Sequence, residues 1–222
     1  MGNIQRLIVF DLDGTLVDSR RDLADAANAL IREGGGVPQS EEAIGRMVGD
    51  GAAALIRRAL VAAGLQVGES SLPRFLELYD ERLLRTTRPY PGIIEALTAI
   101  RGWGPLAVLT NKPLGHTEKI LAALDLAPFF GVVIGGDGPF ERKPDPAGLR
   151  HLMTVHGAGA HQTVLVGDSH VDAATAHAAG VAFCLARYGF DSGRGAPAAD
   201  AGADAPADLP AAIGHLTGRA QV

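Results

Sequence analysis

The sequence predicts an α/β protein in which a parallel sheet is covered by helices and a helical segment is inserted after the first strand. In residues 90–222, short apolar runs alternate with segments of helical spacing, which is typical of parallel strands joined by helices. In residues 17–89, by contrast, apolar positions repeat at helical spacing alone. We therefore expect a main domain from residues 1–16 and 90–222, and a smaller helical cap domain between them.

The first strand is predicted at Leu7–Phe10, an apolar run that leads directly into two carboxylates. A continuous apolar run that ends at a turn is typical of a strand buried on both faces of a sheet. Because side chains two residues apart in an extended chain point the same way, Asp11 and Asp13 should share one side of the strand end. Gly14 permits the sharp turn that follows. Two carboxylates this close need a neutralising charge, and a hard cation such as Mg²⁺ prefers oxygen ligands.

The inserted segment is predicted to contain four helices. Acidic residues in a first turn and glycine or proline near the ends indicate where such helices begin and end. The predicted helices cover residues 22–31, a short stretch from Ser40, residues 52–63, and a stretch from Pro73 through Leu83. The run from Pro89 to Gly92 then breaks the helical pattern and returns the chain to the sheet.

The remainder of the chain alternates between strands and helices. Strands are predicted at residues 106–109, 132–134, 164–166 and 181–185, and helices at residues 93–100, 117–126, 146–156 and 171–179. Residues 193–208 are rich in Ala, Gly, Pro and Asp, which predicts an exposed loop or a mobile tail. A short helix at residues 209–216 is expected to dock back on the domain.

Polar residues follow four of the predicted strands, three of them directly at the strand end and one, Lys143-Pro144, in the loop beyond it. Open α/β sheets bind ligands at this carboxyl edge, so we expect the four sets to form one site. The sets are Asp11 with Asp13, Thr110-Asn111-Lys112, Lys143-Pro144, and Gly167-Asp168-Ser169.

These residue types suit the transfer of a phosphoryl group. Carboxylates form aspartyl-phosphate intermediates, so Asp11 can be a covalent nucleophile. Lys143 can neutralise the oxygens of the transferred group, and Thr110 and Asn111 can donate hydrogen bonds to them. Asp13 is placed to protonate the leaving oxygen and then to activate water.

The same edge of the sheet is predicted to bind a metal ion. Asp168 can complete the carboxylate set that begins with Asp11 and Asp13, and Mg²⁺ is the expected ion. Asp172 lies one helical turn beyond Asp168 and faces the same way, so it can bind the ion through water or orient a ligand.

Composition excludes several classes of function. The net charge of −5 and the pI near 5.8 give no basic surface for nucleic acid. No apolar run has the length of a membrane span, and the first residues lack the pattern of a signal peptide. The single cysteine, Cys184, cannot form an internal disulfide and is expected in the core. We expect a cytoplasmic monomer or homodimer that acts on a small phosphorylated metabolite.

The four polar motifs resemble those of the haloacid dehalogenase-like phosphohydrolases, in the order that this family shows them. The resemblance implies a Rossmann-like core with strand order 5-4-1-2-3 and a helical cap after the first motif. It also implies that Mg²⁺ is held by the carboxylates of Asp11 and Asp168 and by the main-chain carbonyl of Asp13. Four further segments are most similar to the phosphoglycolate phosphatase branch of the family. They are Asp18-Ser19, Val48-Gly49-Asp50-Gly51, Pro89-Tyr90-Pro91-Gly92 and Thr110-Asn111-Lys112-Pro113.

The resemblance implies a phosphomonoester hydrolase of carbohydrate metabolism that converts 2-phosphoglycolate to glycolate and phosphate. Asp13 argues against the family's true dehalogenases, which lack this acid. The absence of lysine from residues 17–89 argues against phosphonoacetaldehyde hydrolases. Pyrophosphatases and sugar-phosphate phosphatases, including N-acetylmuramic acid 6-phosphate phosphatase, stay open. A signalling receiver domain also holds an aspartyl phosphate, but it has no helical insertion after its first strand, so the motif order favours an enzyme.

Specificity is expected to come from the insertion, because the core motifs contact only the phosphoryl group. The carboxylate of phosphoglycolate would need a cationic or N–H-rich partner once it is buried. Arg46 and the glycine turn that follows it, with Gly49 and Gly51, are the predicted contacts. The alternative for Arg46 is an ion pair with Glu42, one helical turn back.

Overall fold

The computed structural model describes residues 6–191 and 198–218 of the chain. Its strands are β1 (Leu7–Phe10), β2 (Val17–Asp18), β3 (Arg88–Pro89), β4 (Leu106–Leu109), β5 (Val132–Ile134), β6 (Thr163–Gly167), β7 (Ala182–Ala186) and β8 (Ala201–Ala203). The main sheet is parallel throughout, in the order β5-β4-β1-β6-β7-β8. The predicted α/β class is confirmed, and the five predicted strands stand in the order 5-4-1-2-3.

Helices lie on both faces of this sheet and in the insertion. They are α1 (Arg20–Glu33), α2 (Glu41–Gly45), α3 (Ala52–Ala62), α4 (Ser71–Asp80), α5 (Ile93–Ile100), α6 (Leu114–Ala123), α7 (Ala147–Val155), α8 (His170–Ala179) and α9 (Leu209–Leu216). Ile8 and Phe10 of β1 pack on the side of α5, α6 and α9, whereas Leu7 and Val9 pack on the side of α7 and α8. Alternate side chains of a strand point to opposite faces, so β1 is buried on both sides as predicted.

The inserted helices α1–α4 lie between β2 and β3, which form a separate two-stranded antiparallel ribbon. The ribbon joins the ends of the insertion where the chain leaves and returns to the main sheet, and it was not part of the sequence prediction. Hydrophobic residues of α1, α3 and α4 belong to the same buried cluster as one face of the sheet. The division into a core and a separate cap domain at residues 17–89 stays a prediction.

A buried carboxylate ties the start of the insertion to its end. Asp22, in the first turn of α1, is fully buried. It accepts hydrogen bonds from the backbone N–H and the hydroxyl groups of both Thr86 and Thr87, at 2.6–3.0 Å. Burial alone would raise the pKa of Asp22, but these hydrogen bonds lower it below its ordinary value. Asp22 therefore holds α1 against the segment that leads into β3.

The stretch predicted as a loop or mobile tail contains an edge strand, so that prediction is wrong for β8. β8 pairs with β7, and Ala203 is fully buried. Alanine and glycine have low strand propensity, and here packing against the sheet decides the conformation. Residues 192–197 of that stretch lie outside the described residues. Cys184 is buried in β7, as expected.

Several predicted helix ends differ by a few residues. α4 ends at Asp80, three residues before the predicted end, and α6 covers Leu114–Ala123 where residues 117–126 were expected. Within the described residues, none of the helices has both the length and the apolar character needed to cross a membrane.

Candidate active site

The polar motifs meet at the carboxyl edge of the main sheet. Asp11 follows β1, Thr110 follows β4 and Asp168 follows β6, three strands that lie side by side. Lys143 comes from the loop that follows β5. All four side chains are buried, with 3–7% of each residue exposed. The parallel arrangement therefore brings together the residues that the sequence placed at one edge.

Lys143 is held between two carboxylates. Its Nζ lies 3.0 Å from Asp11 Oδ1 and 2.5 Å from Asp172 Oδ1. Burial alone would lower the pKa of Lys143, but the negative charges of Asp11 and Asp172 raise it above its ordinary value. The ammonium group thus stays charged beside Asp11, where it can attract the oxygens of a phosphoryl group.

Asp172 is itself fixed by the start of α8. Its Oδ2 accepts hydrogen bonds from the backbone N–H of Ser169 at 3.1 Å and from the Ser169 hydroxyl at 2.6 Å. Gly167 lies so close that a Cβ there would come within 2.3 Å of Asp172 Cγ. Asp172 therefore positions Lys143 and has little freedom to move.

The cluster of carboxylates around Lys143 fits a divalent cation. Asp11, Asp168 and Asp172 each offer a carboxylate oxygen, and these oxygens lie within 4.8 Å of one another. Burial, together with the charges of Asp172 and Asp11, raises the pKa of Asp168 well above its ordinary value. Burial is also the main cause that raises the pKa of Asp11 to about 6. The ammonium of Lys143 contacts two of these three buried carboxylates, so a cation with oxygen ligands would relieve the excess negative charge.

The turn after β1 also approaches this cluster. Gly14 has a φ of +83°, and a Cβ there would lie 2.3 Å from Asp168 Oδ2, so only glycine fits. Asp168 Oδ2 accepts the backbone N–H groups of Phe190 and Asp191 at 2.6 and 3.2 Å. Of the predicted metal ligands, Asp11 and Asp168 lie in the cluster, whereas the Asp13 carboxylate lies outside it and contacts Lys112.

The Asp13 carboxylate is paired with Lys112. Lys112 Nζ lies 2.9 Å from Oδ2 and 3.0 Å from Oδ1, and the Ser19 hydroxyl donates a further hydrogen bond to Oδ1. Lys112 also donates to the hydroxyl oxygen of Tyr79 in α4 at 2.7 Å. The sequence placed Lys112 at this edge of the sheet, but no role was predicted for it. The available signal was its place directly after Thr110 and Asn111 in one motif.

Thr110 and Asn111 were predicted to bind phosphate. Thr110 lines the site and is 3% exposed. Asn111 Nδ2 donates to the carbonyl oxygens of Gly49 and Lys143, both at 2.9 Å. In this structure Asn111 thus joins the glycine turn of the insertion to the loop that carries Lys143, and its phosphate contact stays a prediction.

A cavity lies between the core motifs and the inserted helices. Its described lining consists of Asp11, Asp13, Leu23, Val48, Gly49, Gly51, Ala52, Leu55, Phe75, Leu76, Tyr79, Thr110, Asn111, Lys112 and Pro113. The predicted turn contributes Gly49 and Gly51, both with positive φ. Arg46 lies elsewhere: it forms an ion pair with Glu42, and its side chain is 54% exposed. The structure thus shows the alternative that the sequence offered for Arg46, the ion pair with Glu42, and a contact with substrate stays a prediction.

Comparisons with known proteins agree on one family. A model of haloacid dehalogenase-like hydrolases matches residues 8–186. The chain is 42% identical over 194 residues to a phosphoglycolate phosphatase of Rhodospirillum rubrum, covering 83% of this chain and 80% of that one. It is 39% identical over 201 residues to a phosphoglycolate phosphatase of Pseudomonas putida, covering 87% and 73%. A crystal structure described as a "predicted phosphoglycolate phosphatase" from Haemophilus somnus superposes with a TM-score of 0.85 at 33% identity, covering 94% and 98%.

Proposed function

The chain belongs to the haloacid dehalogenase-like hydrolases, and we propose that within this family it hydrolyses 2-phosphoglycolate to glycolate and phosphate with the aid of Mg²⁺. It is a phosphoric monoester hydrolase. The observation that carries the proposed chemistry is the buried cluster of Asp11, Lys143, Asp168 and Asp172, which opens through Asp11 into the cavity. The choice of substrate is supported by the relatives, of which two at about 40% identity bear the name phosphoglycolate phosphatase.

In the proposed first step, a carboxylate oxygen of Asp11 attacks phosphorus. A bond forms between that oxygen and phosphorus, the ester P–O bond breaks, and the leaving oxygen takes a proton from Asp13. In the second step, Asp13 takes a proton from a water molecule that attacks the aspartyl phosphate, which releases phosphate and restores Asp11. Asp13 lies two residues from Asp11, and both residues line the cavity.

Positive charge beside Asp11 assists both steps. The ammonium of Lys143, 3.0 Å from Asp11, attracts the equatorial oxygens of the phosphoryl group during transfer. The Thr110 hydroxyl can donate a hydrogen bond to the same oxygens. When bound to Asp11, Asp168 and the carbonyl of Asp13, Mg²⁺ would add electrophilic stabilisation of the transferred group. Asp172 keeps Lys143 in place.

The proposed substrate is tested by steady-state kinetics in the presence of Mg²⁺. We expect kcat/KM for 2-phosphoglycolate to exceed the values for pyrophosphate, N-acetylmuramic acid 6-phosphate and p-nitrophenyl phosphate by about tenfold or more, since tenfold corresponds to a single good polar contact. A higher kcat/KM for one of the other compounds would replace 2-phosphoglycolate as the proposed substrate. No turnover of any of them would contradict the hydrolase mechanism. The cytoplasmic location and the monomeric or dimeric state stay predictions.

A further inference from the structure

The cavity above the reaction centre contains one positive charge. Among the described residues that line it, Asp11 and Asp13 are acidic, Lys112 is basic, and the others are neutral. The walls contributed by the insertion are largely apolar, and include Leu55, Phe75 and Leu76. An anionic group that enters this space without a cationic partner would lose its hydration and gain no ionic contact to offset that cost.

The Lys112 side chain is held firmly at the boundary between the core and the insertion. It is 3% exposed, and its Nζ lies 4.6 Å from the centre of the Tyr79 ring as well as 2.7 Å from the Tyr79 hydroxyl. Tyr79 stacks on Phe75, with ring centres 5.8 Å apart. Burial raises the pKa of Tyr79 well above its ordinary value, so the phenol keeps its proton. Lys112 and Tyr79 together thus present an ammonium and a hydroxyl donor to the cavity.

Given the proposed function, we propose that Lys112 is the residue that recognises the substrate's carboxylate, with the Tyr79 hydroxyl as its second donor. The site would select short phosphate monoesters that carry a carboxylate next to the ester carbon. Such a substrate is short, so its two ends must be bound by neighbouring groups. Lys112 is held at Asp13, two residues from the nucleophile Asp11, and so meets this requirement.

The same geometry gives the carboxylate a place to bind. Both oxygens of Asp13 contact Lys112 in this structure. For Asp13 to give its proton to the leaving oxygen, at least one of its oxygens must turn from Lys112 towards the substrate. The substrate's carboxylate then takes the place that Asp13 leaves on the ammonium, so the buried charge of Lys112 keeps an anionic partner. Arg46, which is paired with Glu42 and half exposed, is not in a position to take this role.

The test compares two substrates of equal length. In 2-hydroxyethyl phosphate, a hydroxymethyl group replaces the carboxylate of 2-phosphoglycolate. We expect Lys112→Gln to lower kcat/KM for 2-phosphoglycolate roughly thirtyfold, mainly through KM, as for the loss of a charge-assisted contact. Any effect of the variant through Asp13 is common to both substrates, so kcat/KM for 2-hydroxyethyl phosphate should fall at least about tenfold less, because this substrate makes no ionic contact with Lys112. Lys112→Arg, which keeps the charge, should restore part of the loss. Lys119→Gln, at an exposed lysine of α6, is the matched control and should leave kcat/KM for both substrates unchanged.

A second variant keeps the proposal testable if Lys112→Gln does not fold. Tyr79→Phe preserves the stack on Phe75 and removes only the hydroxyl, and we expect a selective loss of about fivefold for 2-phosphoglycolate, the size of one neutral hydrogen bond. Thermal melting checks that each variant is folded.

The other possible results would contradict either the role of Lys112 or the proposed function. Equal losses on both substrates would show that Lys112 positions Asp13 and does not bind the carboxylate, and no loss on either would exclude Lys112 from recognition. Failure of the proposed function would be visible in the wild-type enzyme alone, as a kcat/KM for 2-phosphoglycolate no higher than that for 2-hydroxyethyl phosphate. That result would also overturn the role of Lys112.

Discussion

The active site contains two buried lysines with different partners. Lys143 is held by Asp11 and Asp172, and all three belong to the core. Lys112 is held by Asp13 of the core and by Tyr79 of the insertion. Under the two proposals above, the core side of the site, with Lys143, Asp11 and Asp172, binds the phosphoryl group that every substrate shares, whereas the insertion side, with Lys112 and Tyr79, binds the group to which the phosphoryl is attached. Substitutions on the core side should therefore affect all substrates alike, and those on the insertion side should depend on the substrate.

The largest effect is expected at the nucleophile. Asp11→Asn keeps the shape of the side chain and removes its charge and most of its nucleophilicity. We expect turnover of both 2-phosphoglycolate and p-nitrophenyl phosphate to fall by about 1,000-fold or more, because the covalent step is lost. The melting temperature should not fall, because the variant removes one of three clustered negative charges. Substantial activity in a sample whose mass confirms asparagine at this position would exclude the covalent mechanism.

The second-largest loss of activity is expected when the metal ion is removed, and this loss also concerns the core side of the site. Excess EDTA should abolish activity, and added Mg²⁺ should restore it. Asp168→Ala should raise the Mg²⁺ concentration needed for half-maximal activity by about tenfold or more. The increase should be the same with 2-phosphoglycolate and with p-nitrophenyl phosphate. A metal requirement that differed between the substrates would break the proposed division between the two sides. Full activity in excess EDTA would contradict the metal dependence itself.

The position of the core residues at one edge of the sheet could be predicted from the sequence, whereas the contacts that the insertion makes with them could not. Asp11, Thr110 and Asp168 each follow an apolar strand, so a one-dimensional pattern places them at one edge of the sheet. The pairing of Lys112 with Tyr79 joins residues 33 positions apart and depends on where α4 docks, which no local pattern contains.

The same reason explains two differences in detail. Arg46 was expected at the substrate because it precedes a glycine turn, but in the structure its exposed side chain pairs with Glu42. β8 was missed because its alanines and glycine carry no strand signal, and only pairing with β7 makes it a strand.

The smallest effect on activity is expected at Asp22, which joins the start of the insertion to its end and affects stability instead. Asp22→Asn replaces one acceptor oxygen by an NH₂ group that faces the donors of Thr86 and Thr87. We expect the free energy of unfolding at pH 7 to fall by about 2 kcal/mol, the usual size of a buried charge-assisted hydrogen bond. Asp25→Asn, at an exposed position of α1, is the matched control and should cost less than about 0.5 kcal/mol. Urea unfolding of the three proteins measures both differences.

Acid should reduce the difference between Asp22→Asn and the wild type. The pKa of Asp22 is lower in the folded protein than its ordinary value of 3.8, because the hydrogen bonds from Thr86 and Thr87 outweigh the effect of burial. The stabilisation is therefore complete at pH values well above 3.8 and is lost as the pH falls through the folded-state pKa. The difference in unfolding free energy should be constant between about pH 7 and pH 5 and should shrink below about pH 4. If the difference in unfolding free energy grew on acidification, burial would outweigh the hydrogen bonds and raise the pKa of Asp22. Asp22 would then not stabilise the insertion as an ionised carboxylate.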